Sequence, residues 1–155
     1  MKAESSVSGH SHPLAPYLIV KGAARAIEHY VEAFGAKEIY RLCEPSGKVG
    51  HAELEIGSSR FMLADEYPDW GALSPITVGG SPVSLHLYVD DVDAVVARAV
   101  ACGATLLRAV KDEFFGDRTG QVVDPFGHKW FLATRKEQVS PEEMQRRMDA
   151  AFETP

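Results

Sequence analysis

The sequence predicts an α+β fold in which one β-α-β-β-β module is used twice. Three observations carry this. The stretch LIVKGAARAIEHYVEAFGA at 18–36 is echoed by LYVDDVDAVVARAVACGA at 87–104. Each passes from a β-rich run into a helical stripe and stops at a glycine, Gly35 or Gly103. RFMLA at 60–64 is then echoed by KWFLA at 129–133. Internal self-similarity of this kind outranks most local signals. Two such modules can curl their sheets around a shared cleft, with a helix on each outer face.

The first element is the apolar run at 16–20, PYLIV, which reads as a buried strand. A helix follows from about Ala23 to Phe34, because Ile27, Tyr30, Val31 and Phe34 recur at i, i+3, i+4 and i+7. Three strands come next: Lys37 to Cys43, Gly50 to Ile56 and Arg60 to Ala64, separated by a Pro-Ser-Gly turn at 45–47 and a Gly-Ser-Ser turn. From Asp65 to Pro82 the periodicity disappears. This long Pro- and Gly-rich segment links the halves and could fold over a site through Tyr67 and Trp70; exposure or local packing is the plainer reading of both rings.

The second module opens with the strand Val83 to Val89. Asp91 can cap a helix from about Val92 to Cys102, with Val92, Val95, Val96 and Ala99 as its stripe. Strands are expected at Thr105 to Val110, at about Thr119 to Val123 and at Lys129 to Thr134. Gly116-Asp117-Arg118-Thr119-Gly120 reads as a glycine-flanked loop presenting an acid and an arginine. Asp124-Pro125-Phe126-Gly127 has the chemistry of a type I turn. Trp130 should pack under the helices by alternation, and His128 should be structural. Ser140-Pro141-Glu142-Glu143 is a capping box with proline at N1. It opens a helix whose Met144, Met148 and Phe152 share one face, and that face should pack on this domain or on a second subunit.

The domain plan is therefore a disordered tail at 1–13 and a single domain at 14–136. Within that domain, module 1 spans about 14–65, a linker 66–82 and module 2 about 83–136; a C-terminal helix follows at 140–153. The tail's Gly9-His10-Ser11-His12 could take a stray metal ion, although a solvated tail is the simpler reading.

Composition narrows the function classes. The 155 residues suit one domain, and 45% hydrophobic with 25% charged content is ordinary for a globular protein. No apolar run approaches the ~20 residues of a membrane helix. The start lacks the apolar core of a signal peptide, so the cytoplasm is expected. Cys43 and Cys102 have neither CxxC nor zinc spacing, and both should be reduced and packed. The net charge of −6, without a basic stripe, argues against a nucleic-acid partner and no membrane partner is expected. A neutral or cationic small ligand is compatible with it. No GxSxG elbow, P-loop, HExxH or Rossmann fingerprint supports nucleophilic or phosphate-transfer chemistry.

Alternation along the strands yields two polar faces. Ser84, His86 and Tyr88 lie opposite Leu85, Leu87 and Val89. His51, Glu53 and Glu55 lie opposite Ala52, Leu54 and Ile56. The polar sets should look toward the cleft or solvent. His86 suits proton transfer as a catalytic acid/base, a ligand role, or plain hydrogen bonding in a cleft. Tyr88 could stack on a ligand. Arg118 could bind an anionic group or pair with Asp117 or Asp124 to fix its loop.

Gly-Asp-Arg-x-Gly at 116–120, Asp-Pro-Phe-Gly-His at 124–128, Trp130 and Leu-Ala-Thr at 132–134 resemble the end of a PhnB-like protein. That subgroup belongs to the glyoxalase/bleomycin resistance/dioxygenase (vicinal oxygen chelate) superfamily. The resemblance covers roughly residues 15–135, and SPEEMQRR at 140–147 also resembles the PhnB-like subgroup. Paired βαβββ modules around a cleft are the architecture it implies. In metal-dependent members each module supplies ligands from its first and last strands. The matching positions here are Ala15, Met62, Ser84 and Phe131, and none is a plausible ligand for a hard or borderline divalent ion.

The resemblance thus implies a small-molecule-binding protein of the sequestration type, commonly a homodimer, with no cofactor at the usual metal positions. The expected ligand-binding residues are Tyr17, His51, Glu53, Met62, Ser84, His86, Tyr88, Arg118 and Phe131. The alternative is an enzyme of lyase, isomerase or dioxygenase type. It would use His86 without metal, or a displaced divalent ion held by His86 with His51, Glu53 and Glu55.

Overall fold

The computed structural model describes residues 13–153. The histidine pair His10 and His12 lies outside them, as does the rest of the expected tail apart from Pro13. The described chain divides into two compact units between Ser74 and Pro75, within the expected linker.

The N-terminal unit runs β1 (Tyr17–Val20), α1 (Ala23–Phe34), β2 (Lys37–Cys43), β3 (Val49–Ile56) and β4 (Ser59–Asp65). Its sheet has the order β1-β4-β3-β2, with β1 parallel to β4 and the other pairs antiparallel. Helix α1 buries Ala26, Ile27, Tyr30 and Ala33 against the sheet face of Leu18, Val20, Leu54 and Leu63. Val31, assigned to the buried stripe by periodicity, is exposed instead. The alanines on the inner side let the helix approach closely, and the stripe rotates toward them. No side chain within α1 caps its start. Asp65 does so from the end of β4: Oδ1 accepts from Gly22 N (3.0 Å) and Ala23 N (2.8 Å), and Oδ2 from Val49 N (2.8 Å).

After β4 a 3₁₀ turn at Pro68–Trp70 carries the two linker aromatics. Tyr67 stacks on Trp70 with centroids 5.2 Å apart, Lys48 Nζ sits 3.8 Å over the Tyr67 ring, and the Tyr67 hydroxyl donates to Glu44. Tyr67 is therefore locally packed, while Trp70 is 83% exposed.

The C-terminal unit runs α2 (Pro75–Val78), β5 (Ser84–Tyr88), α3 (Val92–Ala101), β6 (Thr105–Asp112), β7 (Asp117–Val123), β8 (Lys129–Arg135) and α4 (Pro141–Glu153). The sheet order β5-β8-β7-β6, with β5 parallel to β8, repeats that of the first unit. Even the irregularities repeat: β2 shifts register between Glu38 and Tyr40, and β6 between Leu106 and Arg108. Asp91 caps α3 by accepting from Ala94 N, and Thr134 Oγ1 accepts from Val92 N in the role that Asp65 plays for α1. The Asp124 turn forms as expected, with Oδ1 accepting from Phe126 N and His128 N.

The expected glycine-flanked loop at 116–120 is largely strand. The turn sits earlier, around Phe114 and Phe115, and ends at Gly116 (φ 96°), so Asp117 to Gly120 are already paired with β8. Gly120 marks a close approach rather than a bend. A Cβ there would lie 2.9 Å from Val110 Cγ2 and 3.1 Å from Val96 Cγ2 of the covering helix.

Ser140 caps α4 by accepting from Glu143 N, as the capping box predicts. The Glu143 carboxylate, however, turns to Arg146 and Arg147 instead of back to Ser140. The Met144, Met148 and Phe152 face is not buried, and Phe152 is 81% exposed. Among the described residues, no helix is long and apolar enough to cross a membrane.

Candidate functional site

Each sheet has one face covered by its helix and one open face, and the strand pairings state which side chains share the open one. In the N-terminal unit Tyr17 pairs with Met62, Met62 with Glu53, and Glu53 with Tyr40, which forms one row across four strands. His51 stands beside this row. Its Nδ1 lies 2.8 Å from the Tyr17 hydroxyl, its ring is flanked by Tyr17 and Tyr40 at 5.5 and 5.7 Å, and its Nε2 lies 3.9 Å from Glu53 Oε1. Glu53 is 5% exposed. The imidazole is thus held between a phenol at Nδ1 and a carboxylate near Nε2. Burial, followed by the neighbouring Tyr40, pushes the Tyr17 phenol above its ordinary value. Glu55 does not join this group: it pairs across the strands with Arg60 at 3.8 Å.

The C-terminal unit has the same row at equivalent positions: His86 pairs with Phe131, Phe131 with Gln121, and Gln121 with Arg108. His86 and Phe131 stack with centroids 6.4 Å apart, and His86 meets Tyr88 at 4.8 Å. Ser84, His86 and Tyr88 alternate outward as expected, and all three are exposed. Trp130 goes to the helix side, where its Nε1 donates to Asp124 Oδ2.

Arg118 does not belong to this open face. It faces the side of α3, where Nε and Nη2 donate to Asp93 and Nη1 donates to Asp112. The hydrogen bonds to Asp93 and then Asp112 raise its already high value further. It fixes a helix start to a hairpin, with partners other than the expected Asp117 or Asp124. One residue earlier the strand points the opposite way. Asp117 is 4% exposed, and its carboxylate accepts from Arg135 Nε (3.1 Å) and from the Tyr88 hydroxyl (3.2 Å). Arg135 Nη2 in turn donates to that hydroxyl at 2.9 Å.

Several open-face residues were missed from sequence, among them Arg108. Tyr40 escapes simple alternation because the β2 bulge reverses its parity. Arg135 lies one residue past the expected end of β8, although it keeps step with Phe131 and Ala133. Asp117 was hidden by reading its strand as a loop. Gln121 was legible by alternation within Thr119 to Val123.

The family's metal positions can be tested against this geometry. Met62 and Phe131 occupy the open rows, Ser84 is exposed on β5, and Ala15 precedes β1. A thioether, a phenyl ring, a hydroxyl and a methyl do not make a divalent-metal shell. Among the described residues no group of three His, Cys, Asp or Glu side chains is arranged to hold an ion.

The comparisons agree with the duplicated fold. A family model described as Glyoxalase/Bleomycin resistance protein/Dioxygenase superfamily matches residues 10–132. An uncharacterized protein of Mycobacterium tuberculosis, Rv0887c, is 44% identical over 140 residues, covering 88% of this chain and 82% of its own. The crystal structure of the Arabidopsis thaliana gene product At5g48480 is 31% identical with a TM-score of 0.64, over 77% of this chain and 96% of that one. A PhnB protein from Bacillus cereus, 19% identical, shares the fold at a TM-score of 0.63, over 79% of this chain and 99% of its own. The chain belongs to the glyoxalase/bleomycin resistance protein/dioxygenase superfamily.

Proposed function

We propose that this protein binds a small aromatic molecule on the open face of its second sheet, without a metal at the family's usual positions. The observation that carries this reading is the cluster His86, Tyr88 and Phe131. Three rings on adjoining strands face away from the helix, with centroids 4.8 and 6.4 Å apart and Tyr88 half exposed. An exposed aromatic shelf edged by Gln121 and Ser84 combines stacking area with a few polar anchors, the usual composition of a ligand site.

The test is a thermal-shift and calorimetric screen of planar aromatic compounds, with Phe131→Ala and His86→Ala as controls. A ligand should raise the midpoint of the wild type. The two substitutions should weaken its binding by about tenfold or more each. Binding unchanged in both variants would remove the shelf from consideration. In parallel, chelation should leave the midpoint of freshly purified protein unchanged. A stoichiometric metal with loss of stability on chelation would overturn the metal-free reading.

A second reading is an acid/base enzyme, and one observation favours it. His51 is held between Glu53, 3.9 Å from Nε2, and the Tyr17 hydroxyl, 2.8 Å from Nδ1, so a substrate proton would pass through the Tyr17 hydroxyl with His51 as its acid/base partner. If this chain is an enzyme, His51 is better placed than His86 for proton transfer.

A further inference from the structure

We propose that Arg135 is a carboxylate receptor, so that the ligand of the aromatic shelf is an aromatic monoanion; this rests on the shelf reading above. The argument begins with how the guanidinium is held. Arg135 Nε donates to Asp117 Oδ1, Nη2 donates to the Tyr88 hydroxyl, and that hydroxyl donates to Asp117 Oδ2. The three side chains close a ring of hydrogen bonds along the Nε–Nη2 edge. The second edge, Nη1 with the other proton of Nη2, takes no partner among the described residues. A guanidinium pinned on one edge and open on the other has the fork that a planar carboxylate fills with two parallel hydrogen bonds.

The surroundings fit such a ligand. Arg135, Tyr88, Val89, Asp90 and Thr134 line a cavity of about 500 Å³. The Thr134 hydroxyl is already committed to Val92 N and Val89 O, so it does not compete. Tyr88 is also the edge of the aromatic shelf, two residues along β5 from His86. Arg135 is held through the Tyr88 hydroxyl at that end of the shelf, so a ring seated against Tyr88 would turn a carboxylate substituent toward the guanidinium. The buried Asp117 already offsets one positive charge. Asp90 adds a negative charge at the cavity wall, which opposes a dianion more than a monoanion. The site should thus take carboxylates ahead of phosphate monoesters.

The experiment compares 1-naphthoate, its neutral isostere 1-naphthamide and 1-naphthyl phosphate by calorimetry, on the full chain and on Arg135→Gln and Arg135→Lys. The wild type should bind naphthoate about tenfold more tightly than naphthamide, and naphthyl phosphate more weakly than naphthoate. Arg135→Gln should remove the preference for naphthoate while keeping naphthamide binding, which also reports that the variant is folded. Arg135→Lys should retain part of the preference, since it keeps the charge but loses the fork. Equal binding of naphthoate and naphthamide by the wild type, or a preference that survives in Arg135→Gln, overturns the carboxylate site while leaving the shelf standing. Tighter binding of the phosphate overturns the monoanion assignment. Binding of none of the three overturns the shelf and the carboxylate site with it.

Discussion

Trp130 Nε1 donates to Asp124 Oδ2 at 2.9 Å, between two buried side chains. The other carboxylate oxygen accepts from Phe126 N at 2.9 Å and from His128 N at 3.0 Å. One side chain thus shapes the β7–β8 turn and satisfies the indole beneath α3. Asp124→Ala leaves three donors without this acceptor, two of them in buried settings. Unmet buried donors cost about 1–3 kcal/mol each, and partial rehydration at the turn reduces the sum, so a loss of roughly 2–4 kcal/mol is expected. Urea denaturation of Asp124→Ala and Trp130→Phe measures it. The phenylalanine variant, which removes donor and indole together, should cost less than the alanine variant.

Most of the fold was legible because the duplication supplied each element twice. Asp124-Pro125-Phe126-Gly127 and the two C-terminal glycines are local signals with local causes, and the structure honours them. What the sequence hid was non-local. Asp65 caps α1 from 42 residues away, a role that no window around Ala23 reveals. Tyr40 reaches the open face through a bulge, and Arg118 is claimed by Asp93, 25 residues upstream. The open-face positions of His86, Tyr88, Phe131 and Glu53 followed from alternation because β5 with β8, and β3 with β4, pair without bulges there.

Gly120 illustrates packing that composition cannot announce. A methyl group there would press on Val96 of α3 and on Val110, whose short branched side chains have little freedom to yield. Gly120→Ala should destabilise by about 1–3 kcal/mol through overpacking. The double variant with Val96→Ala should lose less than the sum of the two single variants, because the second substitution makes room for the first. Additive losses in denaturation experiments would contradict this contact.

Helix α4 is held by charge. Glu143 accepts from Arg146 and Arg147, and these bonds, in that order, hold its carboxyl down at about 2. Arg147 also reaches Glu137 and the carbonyl of Phe114, which ties the helix back to the β6–β7 turn. The folded value lies below the ordinary carboxylate value of 4.5. The stabilisation is therefore fully present above about 4.5 and is lost as the pH falls toward 2. Amide protection across 141–153, taken relative to the intrinsic exchange rate at each pH, should fall over that window ahead of protection in β7 and β8. Glu143→Gln should show the lowered protection already at neutral pH.

Tyr17 shifts in the opposite direction. Its phenol is raised by burial first and by Tyr40 second. A raised phenol favours the protonated folded state, so its contribution is intact below about 10 and is lost as the pH rises through the folded value. Difference absorbance near 295 nm between the wild type and Tyr17→Phe should show this residue ionising later than free tyrosine. Tyr40→Phe removes the smaller cause, so the Tyr17 transition should move down but stay above its ordinary value. A transition unmoved by Tyr40→Phe would mean that the two phenols do not sense each other across the open face. The Tyr17–His51–Tyr40 group would then be a set of separate pairs and would not act as one cluster.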